Sequence, residues 1–245
     1  MSESLHYSRA PITEALIDIQ VEPLPTSLLG TLLALHKSEE QNYPNRANSF
    51  IFEGQIVGGE QIGATAKQTQ IGYTFASTNK PQVFQVRLNG FTFNRLAPYE
   101  HWGSFRDEAQ RLWKAYRSAV QPVRITRVAV RYINRLDLPA PAELSDYLQT
   151  YPEIAADIPQ SLNGYFMRVE LPLTDLPGML VITQTISPPP APGISSIILD
   201  IDIYRNDETV PQDEVEIWSF FEELRNQKNH AFQSCITERT KELIS

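Results

Sequence analysis

Alternation of apolar and polar side chains marks the first strand of this chain. Ala15, Ile17, Ile19 and Val21 occupy every second position, with Asp18 and other polar residues between them. Successive side chains of a strand point to opposite faces, so this spacing predicts a half-buried strand over 12–21. The same pattern predicts further strands near 49–57, 67–77, 82–96, 124–138, 163–172, 178–187 and 195–204.

Apolar positions three and four residues apart predict the helices. A leucine-rich stretch from Leu28 predicts a helix that ends before Pro44. The strongest stripe covers 101–120, where aromatic and aliphatic side chains share one face and charged side chains the other. A third helix is predicted to begin near Leu144 and to include Tyr147, Leu148 and Tyr151.

The C-terminal helix has its own start signal. Asp213 and Glu216 have the spacing of a capping box, in which polar side chains satisfy the free N–H groups of the first turn. We expect this helix to kink or restart near Asn229 and His230, before Thr237.

The order strand, helix, three or more strands, helix occurs twice. It predicts an α+β fold, a tandem of β-α-β-β-β-α units at 1–122 and 123–245 fused into one body, with mainly antiparallel sheets and helices on one face. Pro23-Leu24-Pro25 and Pro139-Ala140-Pro141 occupy equivalent places in the two halves. TATA-binding-protein-like repeats have this order of elements, which is a fold-level analogy. Identity between the halves is otherwise low, so convergence on one pattern is the alternative to duplication.

Composition narrows the class of protein. The 245 residues carry 29 acidic and 21 basic side chains, a net charge of −8, and 42% are apolar. No apolar run approaches the roughly 20 residues of a membrane-spanning helix, and the first residues lack the features of a signal peptide. We therefore expect a cytoplasmic protein without membrane contact. The acidic balance argues against a general nucleic-acid binder, which needs a basic face.

Four segments of the chain resemble a known family. They are 10–15, 93–96 followed by Tyr99 and Trp102, 125–135, and 230–232 followed by Ile236 and Thr237. Together they are similar to a sporadically distributed family of bacterial and archaeal proteins of unknown function and similar length. Members often end in a Phe-Gly pair, whereas this chain ends in Leu243-Ile244-Ser245. The patchy distribution implies mobile or defence-linked genes.

Spaced arginines distinguish one predicted strand from all the others. Arg127, Arg131 and Arg135 lie on one side of the strand at 124–138. Other strands supply polar companions for such a surface: Glu14, Asp18, Gln20, Gln85, Arg87, Asp200 and Asp202. Because unpaired arginine is costly to bury, the face either pairs with those acids across strands or binds a phosphate, a carboxylate or an acidic peptide. The binding hypothesis assigns the ligand to Arg127, Arg131, Arg135, Arg87 and Gln85.

Other candidate sites carry weaker signals. Asp200 and Asp202 share one strand face with the spacing of many Mg²⁺ ligands, which makes them weak metal candidates. The four histidines show no zinc spacing, and His101 and His230 are expected at helix ends or interfaces. The glycines at 58–63 imitate a phosphate loop, but Ala64 stands where lysine is required.

The single cysteine and the aromatic residues suggest structural roles. Cys235 cannot form an internal disulfide or a zinc cluster, and we expect it to be a buried thiol. Phe220 and Phe221 are adjacent and cannot both face one core, so Phe220 or Trp102 is a candidate for a homodimer surface.

These observations favour a non-catalytic binding or regulatory module that uses no cofactor. It would recognise a protein partner or a small anion on its polar sheet face, within a prokaryotic defence or mobile-element system. The alternative is a metal-dependent enzyme acting on a phosphate-bearing substrate, with Asp200 and Asp202 on the ion and Arg127 or Arg131 on the phosphate.

Overall fold

The computed structural model describes residues 7–57, 63–78, 81–160 and 162–245, which form nine strands and five α-helices. The strands are β1 (Ile12–Val21), β2 (Asn45–Val57), β3 (Gly63–Ala76), β4 (Gln82–Arg87), β5 (Gly90–Leu96), β6 (Ile125–Pro139), β7 (Phe166–Pro172), β8 (Met179–Ser187) and β9 (Ile194–Arg205). The helices are α1 (Leu29–Glu39), α2 (Trp102–Val120), α3 (Leu144–Tyr147), α4 (Glu214–Cys235) and α5 (Glu238–Ile244), and a 3₁₀ turn at Thr26–Leu28 precedes α1.

One antiparallel sheet contains all nine strands, in the order β2-β3-β4-β5-β1-β6-β9-β8-β7. The α+β class predicted from the sequence is therefore confirmed. Compactness divides the chain into unit 1, the described residues of Met1–Ile17, Arg95–Glu100 and Arg127–Ser245, and unit 2, those of Asp18–Asn94 and His101–Thr126. The boundary between 122 and 123, the duplication and the TATA-binding-protein-like order stay predictions.

The predicted strand at 82–96 is wrong, because it consists of the two strands β4 and β5. The chain turns at Asn89-Gly90, a dipeptide typical of hairpins. Gly90 has φ +152°, and a Cβ atom there would lie 2.5 Å from the backbone oxygen of Ile19. Four strands therefore follow the first helix, which agrees with the predicted order of three or more strands but exceeds the three of the predicted β-α-β-β-β-α unit.

Two helical predictions need correction. The predicted third helix is only the single turn α3, because Leu148 is extended and bridges to Ile236. α4 runs without interruption through Asn229, and the restart comes later, where Thr237 caps α5 by accepting a hydrogen bond from the Thr240 N–H. Asp213 caps α4 by accepting from the N–H groups of Val215 and Glu216. No helix among the described residues is long and apolar enough to cross a membrane.

The core of unit 2 is aromatic and lies between its strands and α2. Phe91 of β5 packs on Trp113 with ring centroids 6.0 Å apart, and Phe93 packs on Phe105 at 5.4 Å. All four side chains are buried. Burying a side chain of this kind contributes roughly 1.5–3 kcal/mol to folding, so α2 is held mainly by this stripe.

The core of unit 1 includes apolar side chains that alternate along its strands with a period of two residues. Val128, Val130 and Tyr132 of β6 are buried, as are the aliphatic residues of β9 at alternate positions between Ile197 and Ile203. Antiparallel pairing aligns β6 with β9, with Tyr132 opposite Ile201. This leaves Arg127, Arg131 and Arg135 on the opposite face of β6, in agreement with the predicted alternation.

Candidate functional site

Arg131 of β6 forms a two-pronged ion pair with Asp200 of β9. The register places Arg131 opposite Asp202 and Ile133 opposite Asp200, so the guanidinium reaches diagonally to its partner. Its Nε lies 2.8 Å from Oδ1 of Asp200 and its Nη2 lies 2.5 Å from Oδ2. Asp200 is buried, whereas the Arg131 side chain is 42% exposed. Hydrogen bonding to this carboxylate raises the pKa of Arg131 above its ordinary value.

The other two predicted arginines of β6 also have acidic partners in unit 1. Arg127 donates from Nη2 to Oδ2 of Asp202 at 2.9 Å, and its guanidinium lies 4.5 Å from the centre of the Tyr204 ring. Arg135 donates from Nε to Oδ1 of Asp137 at 2.9 Å. Each arginine of the predicted binding face is therefore neutralised within the chain.

Arg87 and Gln85 belong to unit 2 and form a separate network there. Arg87 donates from Nη2 to Oδ1 of Asp18 at 3.0 Å and from Nη1 to Oε1 of Gln85 at 2.8 Å. The Thr92 hydroxyl donates to the same Asp18 oxygen at 2.7 Å. Asp18 is 7% exposed and the Arg87 side chain 16%, so this network is largely buried and has the character of a structural ion pair.

The two metal candidates serve as counter-ions for arginine. Asp200 faces Arg131 and Asp202 faces Arg127, so cationic groups lie where a divalent ion would have to bind. Within the described part of the chain, no group of three or more His, Cys, Asp or Glu side chains could hold a metal ion. Two carboxylates already paired with guanidinium groups are poor ligands for Mg²⁺.

The polar face of unit 1, which we name the Arg131 face, carries both arginines and carboxylates. Pairing places Phe166 and Arg168 of β7 opposite Thr185 and Thr183 of β8, and Thr183 opposite Asp200, so these residues share the face with Arg131. Four arginines pair with four carboxylates, and Glu14 of β1 adds a further negative charge close enough to act on Arg131. The members of the face are Arg127, Arg131, Arg135, Arg168, Glu14, Asp137, Glu170, Asp200, Asp202, Tyr204 and Phe166. Phe166 is 71% exposed.

One donor group of this face remains unused. Arg131 donates hydrogen bonds from Nε and Nη2 to Asp200, and its Nη1 makes no hydrogen bond to any residue that the structure describes. The guanidinium is thus oriented and neutralised while it still offers N–H groups to an acceptor. Such a preorganised arginine loses little freedom when it binds.

A buried group of ionisable residues in unit 1 escaped the sequence analysis. The hydroxyls of Tyr99 and Tyr132 are 2.8 Å apart, and Nζ of Lys228 lies 3.8 Å from the centre of the Tyr132 ring. No carboxylate forms an ion pair with Lys228 among the described residues. Burial, followed by the nearby charge of Arg225, lowers the pKa of Lys228 to about 7, and burial raises the pKa of Tyr99 to about 12.

The sequence did contain a signal for Lys228. It lies four residues after Leu224 and seven after Phe221, at the spacing of the buried stripe of α4. A lysine in such a stripe either snorkels to the surface or is buried, and only the packing of α4 on β6 determines which.

The remaining predicted residues have structural positions. His101 caps α2 by accepting from the Ser104 N–H at 3.1 Å, and Cys235 is buried. His230 is exposed in α4, and because the helix continues to Cys235 the first of its two predicted places, a helix end, is wrong, whereas the second, an interface, stays a prediction. Phe220 and Trp102 are both buried, with Phe220 beneath the Arg205 guanidinium at 5.3 Å, so they offer no dimer surface. Of the rejected phosphate loop at 58–65, residues 58–62 lie outside the described residues and 63–65 belong to β3.

Comparison with models of protein families finds none that matches this chain, and comparison with curated proteins finds no significant match. The resemblance of the four segments to a family therefore stays a prediction. Two of those segments do meet in unit 1, since Tyr99 and Tyr132 belong to them and their rings form an edge-on pair with centroids 5.5 Å apart.

Proposed function

We propose that this protein is a non-catalytic binding module that recognises a protein partner through the Arg131 face. The observation that carries the proposal is Arg131 itself. Its side chain is 42% exposed, and its guanidinium is held by Asp200 while Nη1 makes no hydrogen bond to an acceptor among the described residues. The face combines arginine with exposed or half-buried aromatic side chains, a composition typical of interface centres.

The charge of the face favours a protein over a small anion. A phosphate or carboxylate on Arg131 would lie beside Asp200 and Asp202, which already neutralise Arg131 and Arg127, so its negative charge would be repelled. A protein partner avoids this repulsion, since its uncharged backbone carbonyls can accept from Arg131 while Phe166 packs against its apolar side chains. No observation favours the metal-dependent enzyme, whose two proposed ligands are bound to arginine.

We also propose a regulatory role for the protein and an origin of its two halves by tandem duplication. The resemblance to a patchily distributed prokaryotic family supports a role in a defence or mobile-element system. The duplication is supported by the parallel positions of β1 and β6 at the start of each half and of the tryptophan-bearing helices α2 and α4 near its end.

The test uses matched arginine variants in the native host. Tagged wild type, the double variant Arg131→Ala/Phe166→Ala and the control Arg106→Ala are captured at equal expression, and bound proteins are quantified by mass spectrometry. Arg106 is a suitable control because it pairs with Asp107 on α2 in unit 2. We expect one partner to be retained by wild type and the control and reduced at least tenfold by the double variant.

Calorimetry with the purified partner then measures the affinity directly. A loss of roughly 2 kcal/mol or more of binding free energy in the double variant is the expected result, since buried interface arginine and aromatic residues often contribute this much. Equal binding by all three proteins, or capture of no protein by any of them, would contradict the proposal.

A further inference from the structure

β2 is the last strand at one edge of the sheet, and much of it is supported by only one neighbour. It pairs with β3 along its length, whereas β4 pairs with β3 only from Gly72 to Ala76. The part of β2 that follows Ser49 is therefore one strand of a two-stranded ribbon. No strand pairs with the outer side of β2 among the described residues, so its outward N–H and C=O groups are available to another chain.

Three successive apolar residues of β2 are exposed on this ribbon. Phe50, Ile51 and Phe52 are 41%, 42% and 72% exposed. Their neighbours on β3 are polar, with Gln70 opposite Phe50, Thr69 opposite Ile51 and Gln68 opposite Phe52. The ribbon thus gives these side chains no apolar partner across the strand pair, on either of its faces.

The edge has few of the features by which proteins usually prevent strand addition, and its charged residues are Arg46 and Glu53. β2 is 13 residues long and contains no proline or lysine. The irregularity of the β2–β3 pair lies in β3, where Ile71 is left unmatched between Gln70 and Gly72, so β2 itself stays regular. A long, regular and partly apolar edge is suited to pairing with another strand.

The order of the three residues identifies the strand that fits. Phe50-Ile51-Phe52 reads the same in both directions, so an antiparallel copy centred on Ile51 is complementary to it. In that register Phe50 faces the partner subunit's Phe52, and Ile51 faces the partner subunit's Ile51 on the other side of the ribbon. Ser49 faces the partner subunit's Glu53, which avoids opposing like charges. A two-fold rotation maps this contact onto itself, as a closed symmetric dimer requires.

We propose that β2 pairs edge to edge with β2 of a second copy of this chain, forming a two-fold symmetric dimer centred on Ile51. Outward backbone hydrogen bonds join the two sheets, and the two Phe50–Phe52 pairs cover one face of the junction. The surface is separate from the Arg131 face, so the dimer and the protein-partner proposal can fail independently.

The first experiment measures dimerisation of the full chain by sedimentation. The double variant Phe50→Thr/Phe52→Thr keeps strand propensity but removes both aromatic pairs, and we expect it to raise the dimer Kd at least 30-fold. The control Leu171→Thr changes an apolar residue of β7, the opposite edge strand, that is 45% exposed and lies outside the Arg131 face, and it should leave the Kd within twofold. Circular dichroism confirms that each variant is folded.

A second experiment tests the register and does not depend on the strength of the dimer. Ile51→Cys should link to its counterpart with a short bis-maleimide, because the two residues face each other. Thr69→Cys on β3 is the control, since its counterpart would lie roughly 14 Å away across three strand spacings. The native Cys235 is buried and should not react.

Four outcomes would overturn the proposal, and the first three concern the dimer itself. They are a monomer at all accessible concentrations, a dimer that both phenylalanine substitutions leave unchanged, and Ile51→Cys that links no better than Thr69→Cys. Open-ended growth into polymers would also refute it, because that result indicates head-to-tail pairing of β2 with β7.

Discussion

The two units each contain an arginine–aspartate pair on a polar strand face, and they use it differently. In unit 2, Asp18 is buried and accepts from Arg87 and Thr92, and the other end of the Arg87 guanidinium is used by Gln85. In unit 1, Asp200 is buried but Arg131 remains partly in solvent with unused donors. The Asp18–Arg87 pair is largely buried, whereas the Asp200–Arg131 pair leaves its arginine partly exposed on the protein surface.

The same contrast recurs among the other charged residues. In unit 2, Arg111 donates to both oxygens of Glu39 at 2.7 Å and also to Glu108, which accepts from the Tyr43 hydroxyl. In unit 1, Lys228 is buried against Tyr132 without an ion pair to a carboxylate among the described residues. Unit 2 pairs these charges with counter-ions, whereas unit 1 buries the Lys228 amine and leaves the Arg131 side chain partly exposed.

The largest expected effect concerns Asp18. Asp18→Ala leaves Arg87 and Thr92 without their acceptor in a largely buried network, which should lower the free energy of unfolding by roughly 3–5 kcal/mol. Urea denaturation followed by circular dichroism measures it. The control Asp107→Ala, at an exposed pair with Arg106, should cost less than about 0.5 kcal/mol. If Asp18→Ala costs no more than its control, the buried network is not structural.

Lys228 provides the next test, because its pKa makes stability depend on pH. The unfolded lysine binds its proton up to about pH 10.5, whereas the folded one loses it above about pH 7. The native protein therefore gains stability as pH rises between these values, and the cost of the buried amine is complete below pH 7. Lys228→Met should stabilise the protein by roughly 2–4 kcal/mol at pH 6–7, an advantage that disappears near pH 10.5.

Chemical denaturation from pH 6 to pH 10 checks the Lys228 prediction. The exposed Lys114→Met is the matched control and should show no such pH dependence. A Lys228→Met advantage that stays constant over this range would contradict a titration of the lysine and would point to packing alone.

The smallest effects distinguish Arg131 from other arginines of its own face. Arg131→Ala leaves the buried Asp200 without its donors and should cost roughly 1–2 kcal/mol of unfolding free energy. Arg168→Ala breaks an exposed pair with Glu170 and should cost less than about 0.5 kcal/mol. Adding Asp200→Ala to Arg131→Ala should recover part of the loss in a double-mutant cycle. If Arg131→Ala and Arg168→Ala lower the free energy of unfolding equally, Arg131 does not differ from the other arginines of its face.

Several elements followed directly from local patterns. The alternation around Ile17 and Ile19 predicted β1, and the stripe from Trp102 to Val120 predicted α2. The turn between β4 and β5 was predictable from Asn89-Gly90 but is short enough to look like continuous strand. The single-turn α3 was not predictable in the same way, because the bridge between Leu148 and Ile236 joins segments that are distant in the chain.

The candidate site also combines features that local sequence patterns predict with features that depend on contacts between distant parts of the chain. The sequence alone determined that Arg127, Arg131 and Arg135 share one face of a strand, because side chains alternate along any strand whatever its neighbours. Only the tertiary structure decided that Asp200 and Asp202 neutralise two of them, since the β6–β9 register brings together residues about 70 positions apart. It also decided that Arg87 pairs with Asp18 in unit 2 and that Lys228 is buried. Alternation is a property of the local backbone, whereas ion pairing and desolvation depend on which strands and helices pack together.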